Sequence, residues 1–312
     1  MKLIVHEPVL LKEALDALNV RKNLLYVDAT FGLGGYSKEI LKKNECNLIA
    51  IDRDPDVEKY SLDLRKNYKK KFDFVLESFS KLETILKRKK IEGISGGIVA
   101  DLGMSNLQIE QGIRGFSIKN NGPLDMRMSK EGLTADHIIN FFEEKKLSKI
   151  FWEFGEEYKS KKIAKKIVYE RKKKRISTTH DLANLIKKAK STNKKYKIHP
   201  ATKAFQALRI FINNELQEIN ILITTAFKLL MPGARLVLIT FHSLEDRLVK
   251  NTFNNVCATN NTINRHMPTA DIIKKPEFKK IGKSFYLPTD IEIQKNPKAR
   301  SAKLRVIERV SI

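Results

Sequence analysis

The chain has 312 residues, with 60 Lys and Arg against 36 Asp and Glu and a formal net charge of +24. That length allows one large domain or two smaller ones, and the charge gathers polyanions before any specific contact forms, so nucleic acid is the leading partner class. Two cysteines, Cys46 and Cys257, exclude a disulfide framework and a cysteine-based zinc site, and neither a secretory leader nor a long apolar span is present; the expectation is a soluble, cytoplasmic protein with no membrane contact.

The first strong element is the apolar run Leu24 to Val27, followed at once by "DATFGLGGYS", residues 28–37, with three glycines within four positions. Glycine allows a tight bend and close approach of backbone N–H groups to a ligand, and Ser37 to Lys42 has helical character, so the segment predicts strand, glycine turn and helix. The spacing Gly32-x-Gly34-Gly35 puts Ser37 where the third glycine of a dinucleotide fingerprint would fall. Alone, such a turn fits a cofactor loop and also a plain strand-to-helix junction.

"NLIAID", "FDFVLES" and "GGIVADLG" follow, separated by segments of helical spacing such as Ser78 to Lys90. Strands alternating with helices predict an α/β fold with a parallel sheet. The next strong strand, "ARLVLITF" from Ala234 to Phe241, comes after a mostly helical interval of roughly 130 residues, far longer than an ordinary loop. The interval is expected to be an inserted subdomain, residues 106–205, between sheet segments 1–105 and 206–312.

Within it, Lys145 to Lys197 holds 19 Lys and Arg against 5 Asp and Glu, a net +14 and over half of the total charge. The runs "KSKKIAKK" and "ERKKKR" keep Ile163, Ile167 and Val168 at helical spacing, which predicts a basic amphipathic helix. The lone tryptophan, Trp152, sits in "KIFWEFGEEY", where Ile150, Phe151 and Phe154 favour a core role for the aromatics over a base-stacking platform. Phe205, Leu208, Ile212 and Leu216 are expected on one helix face. Near the end, "FYLP" and "LRVIERV" predict two edge strands, and the polar, aperiodic Asn251 to Lys283 stretch predicts a mobile loop.

Ligands of open α/β sheets sit outside the carboxyl ends of the strands. Asp28 and Thr30 end the first predicted strand, Asp52 the second and Asp101 the fourth, and His242 follows the fifth. Asp52 lies 18 residues after Gly34, close to the spacing at which a carboxylate accepts hydrogen bonds from ribose hydroxyls, which fits an adenosine-containing cofactor; capping of the helix after "DRDPD" is the other reading. No phosphate loop of the GxxxxGK[ST] type and no metal-ligand spacing occurs, so neither phosphoryl transfer nor a metal is expected. Ser243, beside His242, lacks a nucleophile elbow.

The longer motifs "RGFSIKNNGPLDMRM", "HPATKAFQALRIFINNEL", "FHSLEDRLVK" and "NPKARSAKLRV" are, apart from the second, not explained by amphipathic packing. With "HEPVLL" from His6, "DATFGLGGYS", "IDRDP", "DLGMS" and "GEE", they make the chain resemble the bacterial 16S rRNA (cytosine-N4)-methyltransferase family along nearly its whole length. The resemblance implies a Rossmann-like methyltransferase sheet with a helical insertion, S-adenosylmethionine as cofactor, and a cytosine in the decoding region of 16S rRNA in the small ribosomal subunit as substrate. It places cofactor contacts at Gly34, Gly35, Tyr36, Asp52, Phe79, Asp101 and Gln108. The family usually has His where Tyr36 stands, and "SSPQ" where this chain has Ser105-Asn106-Leu107-Gln108. The reaction calls for an acceptor beside the cytosine amine, and Asp101, Asp125 and His242 are the candidates, with a turn role for Asp125 and a strand-end hydrogen bond for His242 as their plain readings. A ribosome-assembly factor with weak catalysis and a nicotinamide-dependent dehydrogenase are the rival functions, and a homodimer is left open.

Overall fold

The computed structural model describes residues 8–43, 45–190, 198–258 and 275–311. It divides into two compact units, Met1–Gly103 with Leu216–Ile312, and Met104–Glu215. His6 and residues 191–197 of the basic cluster lie outside the described residues.

Among the described residues the first unit is built on seven strands: β1 (Leu25–Asp28), β2 (Asn47–Asp52), β3 (Phe72–Leu76), β4 (Gly97–Asp101), β5 (Arg235–Thr240), β6 (Phe278–Lys280) and β7 (Lys303–Arg309). They lie in the order β3-β2-β1-β4-β5-β7-β6, with β1 to β5 parallel and β7 antiparallel to both β5 and β6. This is the expected Rossmann-like sheet. Val27 pairs in register with Ile49 on one side and Ile98 on the other. All three are buried, with Leu236, Leu238 and, from the helix Glu215–Leu229, Ile219, Leu222 and Ile223 in the same core. Helices on both faces bury both sides of the central strands, which is why these read as continuous apolar runs rather than alternating ones.

Two expectations at the carboxyl end need correction. The edge strand is Phe278–Lys280, whereas "FYLP" contributes an isolated bridge from Tyr286 to Leu304. The helix Ser243–Cys257 runs through the first seven residues of the predicted loop. Val249 and Phe253, four apart, are both buried and carry the amphipathic pattern past Asn251, with the asparagines on its outer side. Of the remainder, residues 259–274 lie outside the described residues.

The second unit is helical. Its helices Ala135–Phe141, Glu144–Glu153, Ser160–Arg171, Thr179–Lys190 and Thr202–Ile212 enclose a core that includes Phe151, Ile163, Ile167, Leu182, Ile186 and Leu208. Ile163 and Ile167 point inward while Lys161, Lys162 and Lys165 are exposed, as the basic amphipathic pattern requires. Trp152 does not join that core: Ile150 and Phe151 are buried, but Trp152, one helical step of about 100° further round, is 52% exposed. Leu216 also leaves its predicted face. The helix Thr202–Ile212 stops before Asn213, Asn214 is left-handed at φ 50°, and Leu216 lies in the first turn of a separate helix, Glu215–Leu229.

The long motifs hold one another. In the second unit, Asn213 of "FINNEL" accepts from Met128 N (2.8 Å) and donates to Met126 O (2.8 Å). Arg114 of "RGFS" donates to the carbonyls of Arg127 and Met128. Lys190 joins Glu157 of "GEE" (2.6 Å) to Pro200 O of "HPAT" (2.9 Å). Arg209 grips Glu215 with two bonds of 2.7 Å, both residues buried. In the first unit, Asp246 of "FHSLEDR" accepts from Lys303 and Arg305 of "AKLR", each at 2.8 Å. Among the described residues no helix is long and apolar enough to cross a membrane.

Removing one partner of a buried pair strands the other charge. Arg209→Met, which keeps the volume and abandons Glu215, is therefore expected to destabilise the fold by about 3–5 kcal/mol, measured as a fall in the urea midpoint of unfolding.

Candidate functional site

The order of the sheet reverses at β1, whose neighbours β2 and β4 lead to opposite edges. Such a switch point opens a crevice at the carboxyl ends of the strands. Asp28 closes β1 there and is fully buried. One carboxylate oxygen accepts from Ser37 Oγ at 2.6 Å and the other from Thr30 N at 3.2 Å. Thr30 Oγ1 in turn accepts from Asp101 N, at the end of β4, at 2.7 Å. The ends of β1 and β4 and the start of the helix Gly35–Lys43 are thereby fixed to one another.

Asp52, at the end of β2, secures the glycine turn from the other side. Its Oδ2 accepts from Gly32 N (2.8 Å) and its Oδ1 from Asp54 N (2.9 Å). The helical cap after it is Asp54, which accepts from Asp56 N, so Asp52 is not the capping residue. Gly32 and Gly34 have φ of +53° and +78°, a conformation that L side chains rarely adopt, and a Cβ at Gly34 would press on the Phe31 ring at 2.9 Å.

These carboxyl groups share an unusual electrostatic setting. Burial pushes Asp28 up to about 6, against the hydrogen bonds from Ser37 and Thr30, with the nearby Asp52 adding to the rise. Burial also raises Asp52, offset in part by the N–H groups of Asp54 and Gly32. Asp101 is held well above the ordinary carboxylate range by burial and then by Asp28, Glu245 and Glu292. Its Oδ1 is buried and has no hydrogen-bond partner among the described residues.

Tyr36 is buried, and its hydroxyl donates to the Val9 carbonyl, so its ring is a strut between the turn and the amino-terminal segment. Phe79 opens the short turn after β3 and is partly buried against the sheet core. His242 caps the helix Ser243–Cys257: Nδ1 accepts from Glu245 N, and Nε2 lies 3.0 Å from Glu245 Oε1. The first unit thus brings Gly34, Gly35, Tyr36, Asp52, Phe79, Asp101 and His242 into one body; Gln108 and Asp125 belong to the second. Gln108 forms a capping box with Ser105, each side chain bonded to the other's backbone N–H. Asp125 is gripped by Arg127 through two bonds of 2.8 Å. Burial raises Asp125, but the Arg127 hydrogen bonds and charge outweigh it and leave the carboxyl below its usual range.

Asp28 was visible in the sequence only as a polar strand end; its grip on Ser37 is what the turn depends on. The crevice offers bent backbone at Gly32 to Gly35, a carboxylate oriented by two N–H groups at Asp52, and an unpartnered carboxyl oxygen at Asp101. A ligand with ribose hydroxyls, a donor for Asp101 and positive charge for the buried carboxylates matches that set of groups.

The MraW methylase family matches residues 3–310. A protein of Ehrlichia canis called Ribosomal RNA small subunit methyltransferase H is 40% identical over 307 residues, covering 98% of this chain and 100% of its own. A Rickettsia bellii protein of the same name is 43% identical over 314 residues, covering 98% and 99%. Among solved structures, an rRNA methylase from Streptococcus thermophilus aligns with a TM-score of 0.41 at 11% identity, over 99% of each chain; so distant a likeness adds nothing to the sheet order described above.

The raised Asp28 carboxyl has a stability consequence of definite sign. The folded chain holds that proton more tightly than the unfolded one, so the contribution is fully present below the unfolded value of 3.8 and is lost as the pH rises through about 6. Asp28→Asn, which keeps an acceptor and has no charge to bury, should therefore gain on the wild type as pH rises from about 4 to 7, by on the order of 3 kcal/mol in all. Urea unfolding of both chains at several pH values measures that difference.

Proposed function

Because the chain belongs to the MraW methylase family, we propose that it methylates the exocyclic N4 amine of a cytosine in the decoding region of 16S rRNA, in the small ribosomal subunit and in the cytoplasm, with S-adenosylmethionine as methyl donor. The observation that carries this reading is the family match over residues 3–310, together with full-length relatives called Ribosomal RNA small subunit methyltransferase H.

The cofactor supplies an electrophilic methyl group on a sulfonium. Within the first unit, Asp52 accepts from the ribose hydroxyls while its bonds to Gly32 and Asp54 hold it in place. The backbone of the turn at Gly34 and Gly35, whose missing side chains make room for Phe31 and Pro8, would hold the methionine end, and the buried carboxyls of Asp28 and Asp101 favour its positive charge. Phe79 is assigned to the adenine side. The N4 lone pair of cytosine is delocalised into the ring, so the amine must be oriented as well as brought close. Positioning of this kind supplies roughly 7–11 kcal/mol in favourable cases.

Methyl transfer from the bound cofactor would leave the amine nitrogen cationic, so a residue of this chain must take up a proton from it. Asp101 is the acceptor best suited to take it. Its Oδ1 has no hydrogen-bond partner among the described residues, and a cationic ligand beside it would favour its ionised, accepting form, whereas Asp125 is committed to Arg127 and weakened as a base; His242, whose Nε2 is also without a hydrogen-bond partner and lies 3.0 Å from Glu245 Oε1, is the second candidate. The basic helical unit serves the RNA backbone. Tyr36, where the family usually has His, gives no support to a catalytically weak assembly factor, since its hydroxyl is tied to Val9.

The enzyme is tested with labelled cofactor on unmodified small subunits, naked rRNA and DNA of matching sequence, followed by digestion to nucleosides. N4-methylcytidine from the RNA substrates is expected, with little reaction on a short isolated oligonucleotide, because the target base must be presented unstacked by the local fold. Label on ribose or a ring carbon, or a preference for DNA, would overturn the assignment. Asp52→Ala should weaken S-adenosylmethionine binding by about 1.5–3 kcal/mol, the worth of a charge-assisted hydrogen bond, with the thermal unfolding transition retained. Unchanged affinity in calorimetry removes Asp52 from the cofactor site.

A further inference from the structure

Trp152 and Tyr158 form an exposed aromatic pair that the reading above leaves without a task. Trp152 lies in the last turn of the helix Glu144–Glu153 and is 52% exposed; Tyr158 is 82% exposed. The left-handed Glu156, φ 47°, turns the chain between them, and the rings meet edge to face with centroids 5.7 Å apart and planes at 75°. The residue before each ring is buried, Phe151 before Trp152 and Glu157 before Tyr158, so fixed backbone carries both rings into solvent.

The surroundings are cationic. Lys203 Nζ lies 5.5 Å from the Tyr158 ring centroid and is anchored by a 3.0 Å bond to Glu156 O. The nearest acid on the helix, Glu153, faces Lys149 at 3.8 Å. Lys161 and Lys162 are exposed three and four residues beyond Tyr158. The same pairing recurs in this unit at Tyr169, 55% exposed, with Lys173 Nζ 4.1 Å and Lys166 Nζ 5.5 Å from its ring. Large rings left in water at half exposure or more cost free energy unless something covers them, and lysines around them suit an anionic partner. Aromatic faces beside cations are the combination that binds unpaired nucleotides, with the rings stacking on bases and the ammonium groups meeting phosphates. A duplex fits poorly, because its bases already cover one another's faces.

We infer that Trp152 and Tyr158, with Lys203, form a stacking site for unpaired bases of single-stranded RNA. This rests on the rRNA substrate proposed above and adds where and how an unpaired stretch of it is held.

Trp152 is the only tryptophan of the chain, so its emission reports the site directly. Titration of the full chain with a mixed-sequence single-stranded RNA oligonucleotide should quench that emission, and a duplex of the same sequence or heparin should not. Trp152→Leu, at an exposed position, should fold normally and bind the oligonucleotide about tenfold more weakly, read by anisotropy of labelled RNA, and Trp152→Phe should recover most of the loss. Its salt dependence should stay at the wild-type slope, while Lys203→Gln should lower the slope by about one counterion. Saturating RNA without quenching, equal quenching by heparin, or wild-type affinity in Trp152→Leu would overturn the site. So would a wild-type dimer that Trp152→Leu dissociates, which would make the pair an interface between copies. Quenching by RNA in a preparation that forms no N4-methylcytidine upholds the stacking site and counts against the reaction alone.

Discussion

The candidate site depends on one buried carboxyl group. Asp28 sits at the end of β1 and is satisfied by a serine hydroxyl from the following helix and a backbone N–H from the turn. Because a buried carboxyl must find donors, the chain after β1 is forced into the path that brings Ser37 back to it. That requirement accounts for the departure from the dinucleotide fingerprint: the third glycine is replaced by the residue that supplies the hydroxyl. Thr30 then passes the constraint to Asp101, and Asp52 fixes the outer side of the turn at Gly32. Asp28, Asp52 and Asp101, at the ends of three strands, acquire fixed positions about the turn from a few short bonds.

Those bonds set the electrostatics as well. The donors to Asp28 are a hydroxyl and an N–H, and those to Asp52 are both backbone N–H groups. Burial raises the proton affinity of both, and of Asp101, so the crevice has a latent negative charge that a cationic ligand would draw out. The chain as a whole is strongly cationic, at +24, and much of that charge is concentrated in the helical unit. Opposite local fields of this kind suit two ligands of opposite charge, the sulfonium cofactor and the polyanionic RNA of the function proposed above.

The sheet was legible in the sequence because its central strands, buried on both faces, appear as uninterrupted apolar runs such as "GGIVADLG". The glycine turn and the polar strand ends were legible for the same reason, since they stop those runs abruptly. The helix through Asn251 to Cys257 was hidden by its asparagines, although the buried pair Val249 and Phe253 carried its period. Trp152 was misplaced because composition shows that aromatics cluster but not which one a 100° step turns outward. The long motifs were recognisable as unusual, but the ties that explain them, Asn213 to Met126 and Met128, Lys190 to Glu157, and Asp246 to Arg305, join residues 33 to 87 positions apart and leave no local signal.

Calorimetry of cofactor binding tests most directly whether the crevice holds a positively charged cofactor against its buried carboxyls. S-adenosylmethionine and S-adenosylhomocysteine differ by one methyl group and its sulfonium charge. Titrated at about pH 6, near the raised Asp28 value, in buffers of different ionisation enthalpy, S-adenosylmethionine should release more protons than S-adenosylhomocysteine. Its affinity should also gain more as the pH rises from about 5 to 7, because the cation favours the ionised carboxylates. Equal proton release by the two ligands, with affinities that change in parallel across that range, would contradict the claim.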